Sequence, residues 1–145
     1  MDDKLISRLE HVALKCELDL KPFCEKFIKV LDLPQMSFDF ENETEWGEVN
    51  YEHIHYNVSK PYAAGTLKEW DNTVPYDCNF RVSFGIMNGH TFAEKETWIF
   101  ENIVQETSER LAAEFNTTVY YHRTHLVSEC KNISRKIVFS PLHKI

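Results

Sequence analysis

The chain has 145 residues, a formal charge of −7, and a composition of 43% hydrophobic, 27% charged and 13% aromatic residues. This length suits one domain with one core, so residues 1–145 read as a single globular domain, and the composition is that of a folded chain rather than a disordered one. The acidic balance argues against nucleic acid and an anionic membrane as partners, since both attract cationic surfaces. It leaves solubility or a basic partner as its meaning.

The opening MDDKLISRLEHVALK holds two acids and a charge every few residues, so it does not read as a secretory signal. No apolar run approaches the roughly 18 residues needed to span a bilayer. A cytoplasmic location is expected, with reduced thiols. Cys16, Cys24, Cys78 and Cys130 form no C-x-x-C pair and read as buried or incidental thiols. In that compartment the sequons at Asn57 and Asn132 carry no meaning.

Residues 10–18 alternate with Val12, Leu14, Cys16 and Leu18 on one face, which predicts a strand; a helix through Leu5, Leu9, Val12 and Cys16 is the competing pattern. A helix follows, with Asp19 as N-cap, Phe23, Phe27, Val30 and Leu31 at helical spacing, and Pro34 as its stop. MSFDF and EVNYEHIHYNV are the next strands. In the second, Val49 and Tyr51 hold one phase and Ile54, Tyr56 and Val58 the other, so a bulge is expected near Glu52-His53. After a long irregular stretch, NFRVSFGIMN alternates with Phe80, Val82, Phe84 and Ile86 toward the core. Thr91 and Glu94 form a capping box that opens the longest helix, residues 92–115, with Ile99, Ile103 and Leu111 facing the sheet and Asn116 as its stop. TTVYYHR and SRKIVFS close the chain as two paired strands. The order β-α-β-β-β-α-β-β predicts an α+β fold: a mostly antiparallel sheet of about six strands with two helices on one face.

Motifs that carry chemistry are weak. His53 and His55 would share a face of one strand, and His122 and His125 lie close in sequence, so these pairs are the metal candidates. No carboxylate follows His55 at the spacing of a cupin-like site, and surface or cross-strand histidines are the preferred reading. His122-Arg123-Thr124 resembles half of a two-histidine phosphoesterase, but no second H-x-[ST] occurs. There is no G-x-S-x-G and no Gly-rich phosphate loop among the 4 glycines. The chain therefore reads as no enzyme, with no catalytic residues, no cofactor and no metal.

Charge layout says more. Asp39, Glu41, Glu43 and Glu45 occupy every second position, so an extended chain would gather them on one face and Phe38, Phe40 and Trp46 on the other. Such a row either protects an edge strand or docks a cationic partner. Residues 59–80 then form an irregular connection rich in aromatics, too long to lack a purpose. Trp70 between Glu69 and Asp71 has the make-up of an interface centre. A packed loop whose aromatics lid the core is the other reading, and the two are compatible. The candidate partner-binding residues are Glu41, Glu43, Glu45, Tyr62, Trp70 and Asp71.

FDFENETEW, NVSKPYAAGTLKEWDNTVPYDCNF and VYYHRTH, in this order between a β-α start and an RKIVFSP end, resemble a group of small bacterial immunity proteins. That group belongs to contact-dependent growth inhibition and related polymorphic-toxin systems, and the resemblance runs from about Val12 to Pro141. It implies a cytosolic, non-enzymatic inhibitor, an antitoxin, that binds one toxin C-terminal domain, often a nuclease. It carries over no residue-level site. A small metal-dependent enzyme using the histidine pairs, or a general protein-interaction domain, are the alternatives.

Overall fold

Val12 and Leu14 alternate on a strand in the computed structural model. The structure describes residues 9–70, 74–86, 97–126 and 132–139, with side chains over 10–70, 74–85 and 102–121. In chain order the elements are β1 (Leu9–Leu14), α1 (Leu20–Leu31), β2 (Ser37–Phe40), β3 (Thr44–Tyr51), β4 (Ile54–Pro61), α2 (Thr66–Trp70), β5 (Phe80–Ile86), α3 (Thr97–Phe115), β6 (Val119–Leu126) and β7 (Asn132–Phe139). The strands form one sheet of seven in the order β2-β3-β4-β5-β1-β6-β7. Every neighbouring pair is antiparallel. The chain thus has the α+β, antiparallel fold that its periodicities predict.

The register lines up Val58, Val82, Val12 and Tyr121 across the middle of the sheet. Period-two alternation puts all four on one face, where α1 and α3 cover them. Phe23 of α1 lies between two rings, 4.1 Å from Phe80 of β5 and 4.4 Å from Phe115 of α3. Three elements are clamped by this stack. The fully buried Phe23 and Phe80 each contribute about 1.5–3 kcal/mol by burial, the half-buried Phe115 less, and each ring pair about 0.5–1.5 kcal/mol more. Phe27, Tyr56 and Phe84 continue the core edge to face, at 6.3 and 5.9 Å.

Both long helices stop the same way. Asp32 and Asn116 adopt left-handed φ values of 58° and 51°. The next amide reaches back to close the end, Leu33 N–H to the Ile28 carbonyl at 2.8 Å and Thr117 N–H to the Ala112 carbonyl at 3.2 Å. The stop expected from Pro34 therefore falls earlier, at Asp32. Asp19 sits at the N-cap of α1 without a side-chain cap bond. Along α3, Val104, Thr107, Ser108, Leu111 and Ala112 are buried and Ile103 is half-buried. The Ser108 hydroxyl is satisfied inside the helix by the Val104 carbonyl. The capping box at Thr91 and Glu94, and the Ile99 side chain, lie outside the described residues.

One expectation needs correction. The phase slip at Glu52-His53 is not a bulge but a hairpin turn, so the expected single strand is two, β3 and β4. Tyr51 pairs with Ile54, and the two loop residues have φ values of 50° and 70°. Positive φ at both positions is the primed turn whose twist matches a hairpin. Neither residue is the Gly or Asn that this turn favours.

The connection from β4 to β5 is also more ordered than its composition suggests. Ser59, Lys60 and Pro61 still belong to β4, and Thr66–Trp70 form the short α2. Leu67, Val74 and Cys78 then pack against Ala13, with Tyr120 at their edge, on the face opposite α1 and α3. Asn79 ties the return: its side chain accepts from Cys16 N–H at 2.9 Å and donates to the Cys16 carbonyl at 2.8 Å. Aliphatic and thiol groups anchor this segment. Its aromatics stay at the surface: Tyr62, Trp70 and Tyr76 are exposed.

Candidate partner-binding surface

The β2–β3 hairpin decides where the acidic residues stand. Glu41 and Thr44 exchange both backbone hydrogen bonds, at 2.8 and 3.3 Å, so Asn42 and Glu43 are a two-residue loop. Pairing i with i+3 switches the parity of the residues that share a face. Asp39 therefore lies opposite Trp46, while Glu45 lies opposite Phe40, on the face of Phe38 and Phe40. The four carboxylates do not form a single-faced row, because strict alternation holds only within one strand. They instead surround the hairpin, with Glu41 and Glu43 at its exposed tip and Glu45 half-buried on its helix-side face.

The structure brings the loop to this hairpin. Tyr62 N–H donates to the Glu43 carbonyl at 3.0 Å. Trp70 and residues Glu41, Glu43 and Thr44 line one depression of about 630 Å³. Tyr62 and Glu45 line a neighbouring groove of about 770 Å³, between β2 and the start of α1. Of the named candidates, Glu41, Glu43, Glu45, Tyr62 and Trp70 are thus in one corner of the molecule, and Asp71 lies outside the described residues. Trp70 is only partly offered to solvent, because its ring stacks on the Arg81 guanidinium at 4.7 Å.

Two residues of this corner escaped the reading of the sequence. Phe38 and Phe40 are 39% and 69% exposed on a strand of four residues. The Phe38 ring lies against Gly47, where a Cβ would stand 2.8 Å from it and 3.1 Å from the Cys24 sulfur. Lys21 caps the same ring at 5.4 Å. A short run flanked by acids is the signal of an edge strand, and on an edge strand either face can be left open.

The histidines are accounted for differently. His53 is exposed in the β3–β4 turn, so it and His55 do not share a strand face as a metal pair would require. His55 is held by Asn50 Oδ1 at 2.6 Å and by Glu48 Oε1 at 3.2 Å. The other Glu48 oxygen accepts from the Trp46 indole at 3.4 Å. Among the described residues no group of three or more His, Cys, Asp or Glu is arranged to hold a metal ion. The side chains of His122 and His125 lie outside them.

Burial pushes the Cys24 thiol up to about 12, with Glu45 and Glu25 adding to the effect. Burial does the same for Cys78, helped by Asp77, and both remain protonated thiols at neutral pH. Cys16, Cys24 and Cys78 are free, and Cys130 lies outside the described residues. No helix among the described residues is long and apolar enough to cross a membrane. Comparison with protein-family models, with curated proteins and with solved structures returns no match.

Proposed function

We propose that this chain is an immunity protein. It binds the C-terminal domain of a cognate toxin in the cytoplasm of the producing cell and neutralises it without catalysis. The toxin domain carries a basic surface, as a nuclease does. The observation that supports this reading most is the joining of Glu41, Glu43 and Glu45 to Tyr62 and Trp70 at one corner. Carboxylates of this density attract a cationic surface from a distance, and exposed aromatic rings hold it once it arrives. A nuclease needs cationic groups to hold its substrate, so an acidic protein seated there competes directly.

The test is binding to the toxin domain encoded by the adjacent upstream gene, measured by association and dissociation rates. Replacing Glu41, Glu43 and Glu45 by Gln should slow association and flatten its salt dependence, since steering is screened within about 10 Å at 0.1 M salt. Trp70→Ala should speed dissociation, at a cost of about 2 kcal/mol. If both variants stay folded and bind as tightly as the parent, this corner is not the binding surface. Failure of the parent to bind or protect overturns the reading as a whole.

A further inference from the structure

We infer that β2 is a docking edge, on which the Phe38–Phe40 stretch takes up an extended, Lys- or Arg-bearing segment of the partner as an added strand. This deepens the immunity reading by naming a contact, and rests on it only for the identity of the partner.

The backbone points to this first. β2 ends the sheet order, and among the described residues it pairs with β3 alone. Glu41 and Thr44 exchange both hydrogen bonds. By antiparallel alternation Asp39 is then the next residue bonded into β3, and the N–H and C=O groups of Phe38 and Phe40 face the free edge. The Phe40 amide bears this out, because it donates at 2.8 Å to the exposed carboxylate of Asp39 beside it. That carboxylate is a local stand-in, which the carbonyl of an arriving strand can displace.

Side chains then fit the arrival. A strand added at about 4.8 Å from β2 alternates its side chains between two faces. One set enters the groove, where Phe38, Phe40, Tyr62 and Leu20 offer apolar surface and Lys21 and Glu45 also line the wall. The other set passes beside Asp39.

Charge chooses the occupant. Asp39, Glu41, Glu43 and Glu45 crowd this hairpin. A second copy of the chain would bring two such hairpins together, and like charges across a strand pair are unfavourable. A segment with Lys or Arg on the Asp39 side and apolar groups where the groove is walled by Phe38, Phe40 and Leu20 meets a carboxylate on one face and rings on the other.

Fluorescence anisotropy with a labelled short peptide of alternating lysine and valine tests this against the full chain. The control peptide carries N-methyl groups on alternate amides, which blocks strand pairing while keeping charge and composition. The unmodified peptide should bind, and methylation should weaken binding at least about tenfold, as the loss of two or more backbone hydrogen bonds requires. Phe40→Pro removes an amide that faces away from β3, so the sheet should tolerate it while peptide binding falls about tenfold. Phe40→Thr keeps the amide and should lose less. Amide exchange at Phe38 and Phe40 in the parent should slow when the peptide is bound, a readout that stands even if Phe40→Pro does not fold. No peptide binding, equal binding of the methylated control, or unchanged exchange at both residues overturns the docking edge. If the toxin domain binds the parent and a folded Phe40→Pro variant equally, strand addition is wrong and the immunity reading survives. If the peptide binds at β2 and the toxin domain does not bind at all, the docking edge survives and the immunity reading falls.

Discussion

On its helix-covered face the sheet presents Val12, Leu14, Phe80, Val82 and Phe84, all fully buried. On the other face the same strands present His11, Ser83 and Arg81, joined by a hydrogen bond of 2.9 Å and a ring contact to Trp70. One side is dry and closed by aromatic stacking. The other is polar, with a small apolar patch where the β4–β5 connection sits on Ala13 and Tyr120. The difference separates what holds the domain together from what it has left to offer. A fold whose stability is concentrated on one face can vary the other, and its rims, without unfolding.

The strongest challenge to this contrast is Phe23→Ala. Losing the middle ring of the Phe80–Phe23–Phe115 stack should cost about 3–5 kcal/mol and lower the melting temperature by about 10 °C or more. A loss as small as that of a surface residue would mean the helix face is not the seat of stability.

Leu67→Ala tests the other side. It should cost about 2 kcal/mol, at the low end for a buried leucine, because its cluster is small and close to solvent. Thiol labelling sharpens the comparison, since Cys24 is buried on the helix face and Cys78 under the connection. Leu67→Ala should speed alkylation of Cys78 about thirtyfold through local opening and leave Cys24 unchanged. Equal acceleration of both would show that the two faces open as one unit.

Alkali should erode both faces together. The Cys24 and Cys78 thiols rise from 9.0 to about 12 in the folded protein. Below 9.0 both states hold the proton and the stabilisation is complete. Between 9.0 and about 12 only the folded state holds it, so stability falls as pH rises through that window. A melting temperature that does not fall between pH about 8 and about 10 would contradict this. The smallest effect belongs to Trp70→Ala, which loses the Arg81 contact and should cost less than about 1 kcal/mol of stability. A larger loss would make Trp70 part of the structural core rather than a surface group.

Much of the fold was legible in the residues. Alternation through Val12 and Leu14 and through Phe80, Val82 and Phe84 gave those strands, and the spacing of Phe23 and Phe27 gave α1. The hairpins were not legible for one shared reason. A two-residue loop and a bulge leave the same one-step slip in the hydrophobic phase, and only the sign of φ and the direction of the returning chain tell them apart. Glu52-His53 lacks the Asn-Gly signature that would have marked the turn. At Asn42-Glu43 the slip was hidden, because the acids kept an even spacing straight through the loop. Phe38 and Phe40 show the same alternation as Phe80 and Phe84, yet only the latter pair is buried. What separates them is rank in the sheet, and an edge position is set by tertiary pairing rather than by local pattern.

Gly47 carries a consequence for how such a chain can diverge. The Phe38 ring occupies the space a Cβ would need there, with Cys24 just behind it, so positions 24, 38 and 47 share one volume. A methyl group at 47 would force the ring to shift, and Phe38 is one wall of the groove beside β2. Drift at these three positions is therefore expected to be correlated, with a larger residue at 47 tolerated where 38 has become small. Through that exchange of size, a lineage can reshape the groove while leaving the Phe23 stack untouched.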